Sequence, residues 1–399
     1  MKKTLFALPL TVVLLAVIGL LINISTTMIY SQLAMYMKNV LGASAFQAAT
    51  VDGIVESISH ITRIASGVVS DLIQNRKSIL VIGYALAVLA KPLYLFSSTI
   101  VMVFCAQSLD RLGNGTIASP RDALIGDVTP KPKRGASYGF IRSLKTGGSV
   151  LGAMIAMIIM YATMDSFITV FAMALIPSLI AFVILIVFIK EPKRHSGGGD
   201  RKRFRITKDN LKKLGGAYWK IILLSSFFEL AHFSETLLSW RANDAGLEQT
   251  FVAFVMVAMN VGQFLVAYPL GMLSDKFPRR LFLILGFFFM LGATICMGYS
   301  SNLVVVMLGV FLWGAQMSTT QSIFLSLISD EVEKELRGTA FGIFYFTSGI
   351  CYLIASQMAG ILWDKFGYVL TFSASAIISI LSILWAVFGF RLHPQKKEV

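Results

Sequence analysis

Apolar runs of about twenty residues recur along the whole chain, and a helix of that length crosses the hydrocarbon core of a bilayer. They lie near residues 8–35, 46–70, 78–97, 100–126, 136–161 and 167–189, and again near 218–238, 250–274, 281–299, 303–327, 338–362 and 368–391. They predict an all-α membrane protein of about twelve transmembrane helices. Composition agrees. Of 399 residues, 56% are hydrophobic and 14% are charged, against about 25% charged in a soluble domain.

The net charge of +14 invites a nucleic-acid reading, but the placement of the charge opposes it. With Lys2 and Lys3 leading the first run, alternate loops carry Arg76 and Lys77; Lys131, Lys133 and Arg134; Lys276, Arg279 and Arg280; Lys334 and Arg337; and the tail with Arg391, Lys396 and Lys397. The segment 190–213 is dense in Lys and Arg. The opposite loops hold Lys38, Arg241 and Lys365. This is a positive-inside pattern. It predicts an inner-membrane, multi-pass protein with cytoplasmic termini and no nucleic-acid partner. The N-terminal charge and apolar run resemble a signal peptide, but no small-residue cleavage pattern follows, so the run reads as an uncleaved first helix.

The chain also repeats itself. Gly67-Val-Val-Ser-Asp71 followed by Arg76-Lys77 returns as Gly271-Met-Leu-Ser-Asp275 followed by Arg279-Arg280. Asp127, Arg134-Gly135 and Gly139 return as Asp330, Arg337-Gly338 and Gly342. The spacing is about half the chain throughout, which predicts two pseudo-symmetric six-helix bundles from a duplication. The expected division is 1–189, a basic cytoplasmic linker at 190–217, and 218–399, with a short amphipathic piece at 204–214.

The repeated G-x-x-x-D-…-R-[RK] element resembles the signature loop of the Major Facilitator Superfamily of secondary transporters. The resemblance implies that fold, and a gating role for Gly67, Asp71, Arg76, Lys77, Gly271, Asp275, Lys276, Arg279 and Arg280, in which acid and base clasp neighbouring helix ends at the cytoplasmic gate. The copies depart from the pattern at Leu72, Asn75 and Pro278. Arg111 and Gly115 match the family's R-x-x-x-G element, where the Arg is tied to coupling or substrate. Gly139, Gly148 and Gly152 match part of its antiporter pattern, with Ala153 where Pro is expected. Small residues four apart also let helices approach closely.

Charges inside the apolar runs are costly and mark a cavity or a partner. The first half carries Asp52, Glu56, Arg63, Lys91, Asp110, Arg111, Arg121, Asp122, Arg142 and Lys145. Asp52, Glu56 and Arg63 share a helical face, as do Arg142 and Lys145. Arg111 and Lys91 sit too deep to snorkel easily and head the candidate substrate contacts, followed by Arg63, Arg142 and Lys145. Proton-coupling candidates are Glu56, Asp110 and the Glu229, His232, Glu235 group, expected at successive i+3 steps of one helix. A structural reading stands beside this one: Arg63 with Glu56, Arg121 with Asp122 or Asp127, and Arg111 with Asp110 as helix-joining ion pairs. Trp240, Trp313 and Trp363 read as interface anchors, and His60 as a packing residue.

Two functions fit. One is alternating-access transport of a small organic anion bearing carboxylate or phosphate, carboxylate siderophores included, coupled to protons or another ion. The other is a multidrug-type proton antiporter for amphipathic compounds. No P-loop, nucleophile arrangement or metal-ligand spacing appears among Cys105, Cys296, Cys351 and the four His. The chain is therefore expected to be no enzyme, to carry no cofactor or metal, and to be a monomer in the lipid bilayer.

Overall fold

The computed structural model describes residues 8–73, 75–130, 133–189, 214–274, 277–333 and 336–389; the side chains of 68, 71–73, 134–135, 268 and 271–274 are not described. The helices are α1 (Leu10–Met35), α2 (Ala45–Ile73), α3 (Arg76–Leu95), α4 (Ile100–Val128), α5 (Arg134–Ala162) and α6 (Phe167–Phe188). After the linker come α7 (Gly215–Glu229), α8 (Thr236–Asp244), α9 (Phe254–Ser274), α10 (Arg279–Tyr299), α11 (Leu303–Glu331), α12 (Arg337–Phe366) and α13 (Tyr368–Leu384). π-helical turns extend α1 through Val40 and α13 through Gly389. No strand occurs among the described residues.

Local chemistry explains many boundaries. Side chains of Asn75, Thr99, Ser166 and Asn302 accept from backbone N–H groups in the first turns of α3, α4, α6 and α11, satisfying donors that a helix leaves unpaired. Nine helices among the described residues are long and apolar enough to cross a membrane. α2 and α4 have 29 residues each, but their apolar runs are interrupted by Asp52, Glu56 and Arg63 and by Asp110, Arg111, Arg121 and Asp122. Charge inside the helix, rather than short length, sets α2 and α4 apart.

One expected helix is not continuous. The run at 218–238 forms α7, which ends at Glu229, and α8, which starts at Thr236, with an irregular segment between them. The expectation that Glu229, His232 and Glu235 stand at successive steps of one helix is therefore incorrect. His232 and Glu235 lie in the break.

Helices α1–α6 pack on one another, and α7–α13 do likewise. The two sets meet through α2 on α12 and α5 on α9. Gly360 makes the first contact possible, since a Cβ there would meet the Phe46 Cα at 2.5 Å. Within the first set, a Cβ on Gly152 would fall 2.5 Å from the Ile24 carbonyl oxygen of α1, and Gly148 meets Leu20 in the same way. Both glycines serve close helix packing. Of the expected linker at 190–217, residues 190–213 lie outside the described residues, and with them nearly all of the amphipathic piece at 204–214, while Gly215 onward belongs to α7; Lys2, Lys3 and the basic tail also lie outside.

Candidate functional site

The hydrogen bonds that join the halves directly between described residues gather towards one end. Lys38 pairs with Asp244 at 2.7 Å, and Asn39 donates to Gln249 at 2.5 Å. Thr250 donates to Asp165, and the Trp240 indole donates to the Ala34 carbonyl. The Asp364 carboxylate accepts from the first N–H groups of α2, Ala45 at 2.8 Å and Phe46 at 2.9 Å. Deeper in, the Ser57 hydroxyl donates to the Gly349 carbonyl at 2.8 Å. Beyond that level the same face of α2 is exposed at Ile61, Ala65 and Val69. The halves are thus sealed at the end where α2 begins and part on the way to the other.

The charged side chains meet just below the seal. Arg111 lies about 16 Å along α4 from its start, at 1.5 Å per residue. Its Nε donates to the Tyr30 hydroxyl at 3.1 Å, its guanidinium stacks 4.6 Å from the Tyr30 ring centroid, and it pairs with Glu56 at 3.5 Å. Both members keep an open face, at 29% and 32% side-chain exposure. His60 stands 3.6 Å from the other Glu56 oxygen. Asp52, one turn before Glu56, accepts from Ser234 at 2.5 Å across the half boundary, with Thr236 and Gln107 beside it. In the break between α7 and α8, His232 stands 3.4 Å from Glu229. Its ring packs on Trp313 and Tyr352, with centroids at 5.1 and 5.5 Å. Glu235 lies within electrostatic reach of His232, Glu56, Arg111 and Asp52.

The break explains this convergence. α8 opens at the level of Asp52, and Ser234 and Thr236 present hydroxyls there. A carboxylate at a helix N-terminus is favoured by the exposed N–H groups. An unbroken helix would have spread these residues along its length.

Other candidates are placed differently. Lys91 bonds Asp110 at 2.7 Å, and neither side chain has any exposed surface. Thr26 and Asn114 complete the cluster. The structure therefore keeps Lys91 and Asp110 away from the space between the halves. Arg63 is exposed and lies 5.7 Å from the Tyr345 ring centroid, so the helix-joining pair of Glu56 is Arg111, not Arg63 or an Arg111–Asp110 contact. Arg142 is exposed, and Lys145 runs its stem over Gly19. Arg121 pairs with Asp122. Trp313 is fully buried and Trp240 nearly so, which corrects their reading as interface anchors. Tyr30, Ser234, Tyr345 and Tyr352 carried no signal beyond residue type. Asp52 could have been singled out by its place one turn from Glu56.

The loop element is partly visible. Arg76 at the start of α3 pairs with Asp127 at the end of α4, and Arg279 pairs with Asp330 at the corresponding helix ends of the second half. Lys77 donates to the Ile186 carbonyl, and Arg280 to those of Ala386 and Val387. Each basic residue thus ties the start of its helix to a neighbouring helix end. Gly67 packs against Ser119. Asp275 and Lys276, and the side chains of Asp71 and Gly271, lie outside the described residues. No cluster able to hold a metal ion is found among the described residues.

Two helical halves around a charged central space are the layout of a membrane transporter. The profile of the Major Facilitator Superfamily matches residues 15–242 and 221–399. The chain belongs to that superfamily. It is 29% identical, over 94% of both chains, to an uncharacterised MFS-type transporter of Methanocaldococcus jannaschii. An uncharacterised protein of Mycobacterium tuberculosis is 20% identical over 81% of this chain and 80% of its own. Among solved structures, the nucleoside transporter NupG superposes with a TM-score of 0.80 at 12% identity, over 96% of this chain and 100% of the other. A D-xylose–proton symporter does so at 0.72 and 16%, over 97% and 98%. At these identities the likeness is one of fold.

Proposed function

We propose that the chain is a twelve-span secondary transporter that moves a small organic solute across the inner membrane by alternating access, coupled to protons. The observation that carries this is the Arg111–Glu56 pair. It is half-open, central in the bilayer, and set beneath a seal made by the opposite half. A guanidinium held by Tyr30 and one carboxylate keeps N–H donors for an anionic group of the solute, carboxylate or phosphate, in a bidentate fork. Arg63, Arg142 and Lys145 line the first-half wall on the way out and draw anions inward. Glu56 and the Glu229–His232–Glu235 group are the proton carriers, since their charge bears on the balance between states. On the positive-inside pattern the open end is cytoplasmic, which makes this the inward-facing state. The motif residues Asp71 and Asp275 act with the Arg76 and Arg279 clasps at that gate. A cysteine placed at Ser196 then labels only from inside.

The test is uptake of organic anions into proteoliposomes under an imposed pH gradient. Arg111→Gln lowers anion affinity about ten- to a hundredfold, the range for one charge-assisted hydrogen bond. Arg111→Lys falls between, because it loses the fork. Undiminished anion transport by a well-folded Arg111→Gln protein refutes the site. The exporter of cationic amphipaths stands as the second reading because of the carboxylates and aromatic rings around His232. It predicts transport indifferent to, or improved by, the same change.

A further inference from the structure

Resting on the transporter reading above, we propose that the solute carries two or more anionic groups, carboxylate or phosphate. One faces Arg111. Another is held nearer the open end by a basic level made of Arg63, Arg121, Arg142 and Lys145, with Lys145 at its centre. Counted from the open-side ends of α2, α4 and α5, all four lie about 10–16 Å into their helices, at 1.5 Å per residue. Three helices thus bring them to one depth, and Arg121, Asp122, Arg63 and Arg142 are all within electrostatic reach of the Lys145 ammonium.

The charges there do not cancel. Asp122 is the carboxylate at this level, and it pairs with Arg121. Among the described residues Arg63, Arg142 and Lys145 form no ion pair. A guanidinium does not lose its proton in a protein, so titration cannot remove the excess. The second half brings no acid to this depth either. Among the described residues α9, α10 and α13 contain no Asp or Glu. Those of α7, α11 and α12 stand at or near helix ends, as Glu229, Asp330, Glu331 and Asp364. Closing the open end would exclude water from these cations without supplying a partner, which is costly at membrane depth. An anionic group on the solute removes that cost.

The packing of Lys145 aims it at the same place. Gly148 lies against Leu20 and Gly152 against Ile24, a register that sets the Lys145 backbone level with Val17 of α1. Its stem lies further in, on Gly19, where a Cβ would meet the Lys145 Cγ at 3.0 Å. The Asn23 side chain donates to the Lys145 carbonyl at 2.9 Å and fixes the backbone. The stem therefore runs inward, toward the level of Arg111, and not to the open end as a snorkelling lysine does. Arg63 links the two centres. It stands about 10 Å along α2 from Glu56, within electrostatic reach of that carboxylate, and its side chain is exposed beside Tyr345.

The test is a thermal-shift and equilibrium-binding screen on the purified full-length protein, since a ligand of the folded state stabilises it by mass action. The probes are dicarboxylates from succinate to suberate, tricarballylate and 3-phosphoglycerate, set against monocarboxylates from butyrate to octanoate. At least one polyanion should bind about tenfold or more tighter than the monocarboxylate of matched length. Lys145→Gln and Arg63→Gln should each remove most of that advantage while weakening monocarboxylates far less, and Arg111→Gln should weaken both sets. Neither of the first two variants breaks an ion pair, so without ligand they should melt no lower than the parent. Polyanions that bind no tighter than monocarboxylates overturn the proposal, and so does an advantage that survives in both variants. In either case monocarboxylate binding that depends on Arg111 keeps the anion-transport reading. Polyanion binding that needs Lys145 and Arg63 but ignores Arg111→Gln overturns the two-centre solute and the Arg111 site together.

Discussion

The Asp364 carboxylate on α12 accepts from the Ala45 N–H at 2.8 Å, so α2 is capped by the opposite half of the molecule. A helix normally takes its N-cap from the residue before its first turn. Here Ser44 does so, accepting from the Gln47 N–H while its own N–H donates to the Gln47 side chain, and Asp364 adds acceptors for the N–H groups of Ala45 and Phe46. This second cap exists only while the halves are joined at this end. Asp364→Ala should therefore favour the alternative state by about 1 kcal/mol, the usual worth of a cap. A membrane-impermeant maleimide should label a cysteine at Ala45, 1% exposed in the sealed state, several-fold faster in that variant. Equal labelling rates would show that the cap does not hold the seal.

Gly360 and Gly152 are equally crowded but sit at different boundaries. Gly360 faces Phe46 in the other half, and Gly152 faces Ile24 in its own. Gly360→Val should push the halves apart at the sealed end, raising Ala45-cysteine labelling with little change in melting temperature. Gly152→Val has no such movement available and should cost about 1–3 kcal/mol as overpacking, read as a lower melting temperature. The reverse pattern would mean that α2 and α12 do not separate.

The Lys91–Asp110 pair has no exposed surface, so each partner depends on the other. Removing one partner of a buried pair costs about 3–5 kcal/mol, while replacing both with apolar groups of similar volume can be neutral. Lys91→Met and Asp110→Leu should each fold poorly, and the double variant should recover most of the melting temperature. A stable, transport-dead Lys91→Met protein would instead return Lys91 to the solute site.

The duplicated clasps should differ in strength. The Arg76 side chain is 2% exposed against 22% for Arg279. Arg76→Gln is expected to lower stability clearly, by about 1.5–3 kcal/mol, since Arg76 is buried while its partner Asp127 keeps 30% exposure. Arg279→Gln should lower it by no more than about 1 kcal/mol, as for a surface pair. Melting temperatures of the two variants check this directly.

The repeat showed that Asp127 and Asp330 recur at the spacing of Arg76 and Arg279, but the sequence offers Asp127 to Arg121, and only the structure joins it to Arg76. Small residues four apart announced a close helix approach in α5, and the structure names α1 as the partner. The break at 230–235 was not legible. Its residues, Leu230-Ala-His-Phe-Ser-Glu235, contain no Gly or Pro, and their apolar neighbours read as a continuous span. The backbone opens there because Ser234 bonds Asp52, Ala231 accepts from Ser375, and His232 packs on Trp313. These are contacts to residues remote in the chain.

Sequence alone determined the class of this protein. Length and spacing of apolar runs decide what crosses a bilayer, loop charge decides orientation, and a repeat decides that there are two halves. All three are properties of local composition. Which charges face the solute was decided only by tertiary structure. Lys91 and Arg111 look alike as deep basic residues in neighbouring spans. Asp110 on α4 meets Lys91 on α3 and seals it off from the cavity, while Arg111, the next residue, turns to Tyr30 and Glu56 and stays open. Helix rotation and packing set that difference, because the energy of a buried charge depends on its partner and on access to water.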